Sequence, residues 1–145
     1  MISDIFENYI ESSDLYIDKS LLIKECIDNA NKVILLTRPR RFGKTLNMTM
    51  LKAFFESKDE KSKLSYAKYF EGLQIWQCGE EYLSHFGKYP VIFMTLKDVE
   101  GRTWTNCYSG LKTKIANVFK QHKPIINSLQ SEDKEFYNNI LFFDR

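Results

Sequence analysis

Between Lys19 and Ala30, apolar residues recur at Leu22, Ile23, Cys26, Ile27 and Ala30, the spacing of an amphipathic helix, with Asp18 or Ser20 placed to cap its first N–H groups. The next stretch, Lys32-Val33-Ile34-Leu35-Leu36-Thr37, is a continuous aliphatic run without polar alternation, which predicts a strand buried on both faces of a parallel sheet. Helical spacing returns with Leu46, Met50, Leu51, Phe54 and Phe55, predicting a helix from about Lys44 to Ser57. A charged stretch from Lys58 to Lys63 leads into a short helical stripe of Leu64, Ala67 and Phe70 ended by Gly72, and a second short helix is expected from Gly79 to Phe86, before Gly87. Tyr89 to Leu96 predicts another buried strand, with Pro90 tolerated at its start. Leu111, Ile115, Val118 and Phe119 mark a helix from Tyr108 to near Pro124, and Phe136, Ile140 and Phe143 mark a last one. Strands alternating with helices predict an α/β fold, a parallel sheet with flanking helices.

The segment between the first predicted strand and its helix carries the chemistry. Arg38-Pro39-Arg40-Arg41-Phe42-Gly43-Lys44-Thr45 ends in the Gly-Lys-Thr of a phosphate-binding Walker A loop, in the strand-to-helix context that such a loop requires. Gly43 lets the backbone approach phosphate oxygens without a side-chain clash, and successive N–H groups up to Leu46, with the positive end of the helix, form an anion cradle. Lys44 is the candidate for the β and γ phosphates, and the Thr45 hydroxyl the candidate magnesium ligand, so ATP and Mg2+ are the expected cofactors. Arg38 stands where the usual pattern has glycine. Either a residue with a Cβ adopts positive φ there, or a different turn forms, with Pro39 stiffening it. Arg38, Arg40 and Arg41 add positive charge beside a polyanionic ligand.

Composition narrows the alternatives. With 145 residues, 43% hydrophobic and 28% charged, the chain is of a size and make-up to bury one core. A net charge of +2 is too mild for a dedicated nucleic-acid or membrane surface. No apolar run approaches the roughly 20 residues that span a bilayer, and Asp4 and Glu7 stand where a signal peptide needs a basic start. Cys26, Cys78 and Cys107 form no CxxC pair, which fits reduced thiols and a cytoplasmic protein.

The chain resembles bacterial AAA-ATPase-like proteins that carry a Pro-Arg-Arg-Phe-Gly-Lys-Thr loop. The resemblance runs through Tyr16-Ile17-Asp18-Lys19, Thr37 to Asn47, Phe70-Glu71-Gly72-Leu73-Gln74-Ile75, and Tyr89-Pro90-Val91-Ile92-Phe93 to Lys97-Asp98, most of the chain. It implies an additional-strand, AAA/STAND-like P-loop NTPase fold and ATP as ligand. It also implies a Walker B strand and, in full-length members, a PD-(D/E)XK nuclease-like domain. Neither is found before Leu141-Phe142-Phe143-Asp144-Arg145, so the sequence reads as the N-terminal part of one such domain with an incomplete sheet, competent to bind ATP without hydrolysing it.

Other readings stand beside this one. Asp98 or Glu100, after the second predicted strand, is a weaker candidate for a magnesium-side carboxylate than for a loop or capping role. Tyr16 and Asp18 are candidates for base contact by resemblance, against a packing tyrosine and a capping aspartate. His85 and His122 lack partners at metal-ligand spacing, and Trp76 and Trp104 are expected in core packing. A non-catalytic remnant or a protein-interaction module is the alternative function; DNA as a partner enters only by analogy with the nuclease-like domain, and the oligomeric state is open.

Overall fold

The computed structural model describes residues 5–29, 33–97 and 99–141. Met1 to Asp4, Ala30 and Lys32 at the ends of predicted elements, Asp98, and Phe142 to Arg145 lie outside them. Two compact units divide at Val91/Ile92.

The first unit contains α1 (Phe6–Ser12), α2 (Leu21–Asp28), α3 (Lys44–Phe55), α4 (Glu60–Ala67) and the short α5 (Glu80–Leu83), with a 3-10 turn at Gln74–Gln77. The stripes read at α2 and α3 are the ones that pack, whereas Leu64, expected in the short stripe with Ala67 and Phe70, is 78% exposed. Met50, Ala53 and Phe54 bury the inner face of α3, and Phe6, Ile23, Phe70, Ile75 and Phe86 close the core around it. Phe54 is fully buried, with ring centroids 5.5 Å from Phe70, 5.3 Å from Phe86 and 5.1 Å from Phe55, all edge-on. Such arrangements add about 0.5–1.5 kcal/mol per pair to the burial itself. Trp76 joins this cluster through Phe86, at 5.7 Å.

Polar groups inside the unit are satisfied by long-range bonds. The Phe6 N–H donates to Thr49 Oγ1 at 3.1 Å, tying the start of α1 to α3. Asp18 and Ser20, expected to cap α2, serve another element. Gln74 N donates to Asp18 Oδ2 at 2.8 Å and Ile75 N donates to Ser20 Oγ at 3.1 Å, so the pair caps the 3-10 turn, while α2 has no side-chain cap. The Asp18 carboxylate also accepts from Ser20 N at 2.8 Å. Burial alone would raise its pKa, but the N–H donors outweigh it and hold the carboxyl below its ordinary value.

The expected parallel sheet is not formed. Among the described residues there is no strand, and the two predicted strands run as irregular chain. Val33 and Leu35 are each 82% exposed and Ile92 is 71% exposed. Both runs were identified by their apolar character, but a strand has no internal hydrogen bonds. Its ladder and much of its burial must come from neighbouring strands, and neither run has one here. Among the described residues an isolated parallel bridge joins Glu56 to Tyr89: Ser57 N donates to Tyr89 O at 2.7 Å and Tyr89 N to Phe55 O at 2.9 Å. The second run therefore begins pinned to the C-terminal end of α3, where the Lys58 ammonium also donates to Ala53 O at 2.8 Å.

The second unit pairs α6 (Trp104–Gln121) with α7 (Ser131–Leu141) across a 3-10 turn at Lys123–Ser128. Thr103 caps α6 by accepting from Asn106 N at 3.3 Å, so the helix starts earlier than its apolar stripe. Ala116, Tyr137 and Ile140 are buried, the Tyr137 ring lying 5.0 Å from Phe119 and its hydroxyl donating to the Phe119 carbonyl. Two assignments are corrected. Phe136 faces outward at 66% exposure, and Trp104, expected in core packing, is exposed and stacks on Tyr108 at 5.7 Å.

Phe54→Ala should lower unfolding stability by about 3–5 kcal/mol in urea denaturation, against less than about 0.5 kcal/mol for Phe136→Ala. Comparable losses for the two would refute the placement of the core. Because the folded pKa of Asp18 is depressed from 3.8, its contribution to stability is full above that value and is lost as pH falls through the folded pKa. Asp18→Asn should flatten the acid limb of the melting-temperature profile below about pH 4.

Candidate functional site

The loop before α3 turns on two residues of left-handed backbone. Arg41 has φ 66° and Gly43, the residue before α3, has φ 72° and ψ 23°. The missing glycine at Arg38 is thus answered by a different turn, with positive φ moved to Arg41. A side-chain-bearing residue in that region costs about 1 kcal/mol or more, and such strain gathers at binding sites. α3 then opens with no acidic residue in its first turn and no side-chain cap. The first N–H groups of a helix have no intrahelical acceptor, so Lys44, Thr45 and Leu46 present donors together with the positive end of the helix dipole.

Lys44 is folded back over its own loop. Its ammonium donates to the carbonyls of Arg38 at 2.6 Å and Pro39 at 2.8 Å. Beside it lies a cavity of about 770 Å³, within the usual span of small-molecule sites. Its apolar walls come from Leu21 and Leu22 of α2, from Ile34 and Leu36, and from Phe42 and Met48. Its charged lining is Lys19, Arg38, Lys44 and Glu25.

The predicted site residues divide between this cavity and its surroundings. Arg38, Pro39, Phe42 and Lys44 line it. Arg40, Arg41 and Thr45 are exposed without contributing to the lining, Gly43 is half-buried at the turn, and Leu46 packs against the core, setting the start of α3. Tyr16 and Asp18 have structural roles. The Tyr16 ring lies edge-on to Phe6 at 5.8 Å, its hydroxyl reaches Met50 Sδ at 3.4 Å, and burial pushes that hydroxyl up to about 12. Glu100 is an exposed residue of the second unit.

His85 stacks on Tyr89 and hydrogen-bonds its hydroxyl, and His122 ends α6, both in packing or surface positions. No group of three or more His, Cys, Asp or Glu side chains suited to a metal occurs among the described residues, and no helix there is long and apolar enough to cross a membrane. Sequence reasoning passed over Lys19, Glu25 and the apolar wall from α2. The signal available was the position of Tyr16-Ile17-Asp18-Lys19 directly before an amphipathic helix, but only folding brings that helix beside the loop.

No curated protein and no solved structure matches the chain. One family does, described as predicted AAA-ATPase, and its match runs over residues 2–142. With nearly the whole length matched, this chain belongs to the predicted AAA-ATPase family.

Proposed function

We propose that the chain binds ATP with magnesium through the loop Arg38 to Leu46. The observation that carries this reading is the left-handed turn at Arg41 and Gly43, which delivers the uncapped start of α3, with Lys44 and Thr45 exposed, beside a cavity of about 770 Å³. The donor set suits a polyphosphate. The backbone N–H groups after Gly43 take phosphate oxygens, Lys44 exchanges its two carbonyl partners for the β and γ phosphates, and Arg38 adds charge from the cavity wall. The apolar wall of Leu21, Leu22 and Met48 suits a flat, weakly polar base.

The Thr45 hydroxyl is the magnesium ligand in this reading. Magnesium keeps several waters and takes the rest of its shell from phosphates, so one protein oxygen suffices. The bound ion neutralises phosphate charge. No residue is assigned to activating water, so the reading is of binding without turnover. A second reading, a protein-interaction module, draws on the exposure of Val33 and Leu35 beside the loop.

Thermal unfolding with and without magnesium and ATP separates the two. At 100 times its dissociation constant the nucleotide should stabilise the protein by about 2.7 kcal/mol, and Lys44→Ala should abolish the shift. A folded wild-type protein whose melting temperature ignores ATP would leave the interaction module as the better reading.

A further inference from the structure

We infer that Lys19, in the turn before α2, is a second phosphate-binding cation of this site. The inference rests on the nucleotide reading of the loop and adds a residue outside the Walker A segment. Its first support is position: a Cβ built on Gly43 would meet the Lys19 Nζ at 3.9 Å. The ammonium therefore stands over the residue whose lack of a side chain opens the backbone to phosphate, from a segment 24 positions upstream.

The second support is charge. Lys19, Arg38 and Lys44 converge on one cavity, with Glu25 the single carboxylate among the described residues of its lining. Among the described residues no ion pair engages the Lys19 ammonium. Like charges gathered in a concave, partly apolar site repel one another, and a polyanion relieves that repulsion. A nucleoside triphosphate has the charge and length to meet Lys44 within the loop and Lys19 at its flank.

The third support is how the backbone of Lys19 is held. Tyr16 is tied to the core through Phe6 and Met50, Asp18 is fixed by Gln74 N and Ser20 N, and Ser20 is bound by Ile75 N. The backbone around Lys19 is thus anchored, so only its side chain, and not the segment that carries it, has to be ordered when it meets an anion. These anchors also explain the use of tyrosine and aspartate in this stretch without giving either a contact to ligand.

The test is calorimetric titration of the full chain with magnesium and ATP, comparing wild type with Lys19→Ala, Lys19→Gln, Lys19→Arg and Lys44→Ala at several salt concentrations. Loss of one charge-assisted bond should weaken ATP binding about tenfold in Lys19→Ala and Lys19→Gln and make affinity less salt-dependent, with Lys19→Arg recovering most of the loss. The melting temperature without nucleotide should not fall in any of the three, since the side chain is exposed and its charge is not needed for folding. Wild-type affinity and salt dependence in Lys19→Ala, with binding lost in Lys44→Ala, would overturn the role of Lys19 and leave the loop reading standing. Equal losses in the alanine and arginine variants would overturn it too, as a structural effect. A wild-type protein that binds no ATP would remove both.

Discussion

The packing of α3 against its aromatic neighbours is the constraint on which the first unit depends. Phe54 meets Phe70 and Phe86 from other parts of the chain, while Met50 and Thr49, one turn earlier, hold Tyr16 and the start of α1. Because the same helix begins at Gly43, the burial that stabilises the unit also fixes the direction of the exposed N–H groups. The carbonyls of Phe54 and Phe55 at its other end accept from Gly87 and Tyr89. Surface ion pairs such as Lys24–Asp28 and Lys52–Glu56 add only a few tenths of a kcal/mol each, so apolar packing sets the geometry.

Helices α2, α3, α6 and α7 were legible because their signal is local, whereas α1 (Phe6–Ser12) was not anticipated. A stripe at Met50 and Phe54 states which face will be buried before any partner is known, and Gly43 before Lys44 states where the helix begins. The apolar runs at 33–36 and 91–96 were equally visible as apolar, but whether such a run becomes a strand depends on a neighbour that its own residues do not encode. Asp18 and Ser20 failed as α2 caps for a similar reason. Their acceptors face N–H groups of Gln74 and Ile75, and nothing near residue 18 announces a turn more than fifty positions away.

The candidate site's geometry was half legible. Lys44 and Thr45 follow from a short motif, and the turn required by Arg38 could be posed as a question without being answered. Positive φ at Arg41 resolves it. The cavity wall from α2 was out of reach, because the helix was recognised by the residues it buries in the core, whereas Leu21 and Glu25 face the other way, into the cavity.

The folded-back Lys44 has a consequence for the nucleotide reading proposed above. Its ammonium already has two carbonyl partners, so any anion that recruits it must first replace both bonds. A chain of phosphates offers several oxygens at once, spread over the lysine and the start of α3. Under the proposed nucleotide reading, the loop would thus set an energetic threshold that screens ligands by how many oxygens they bring.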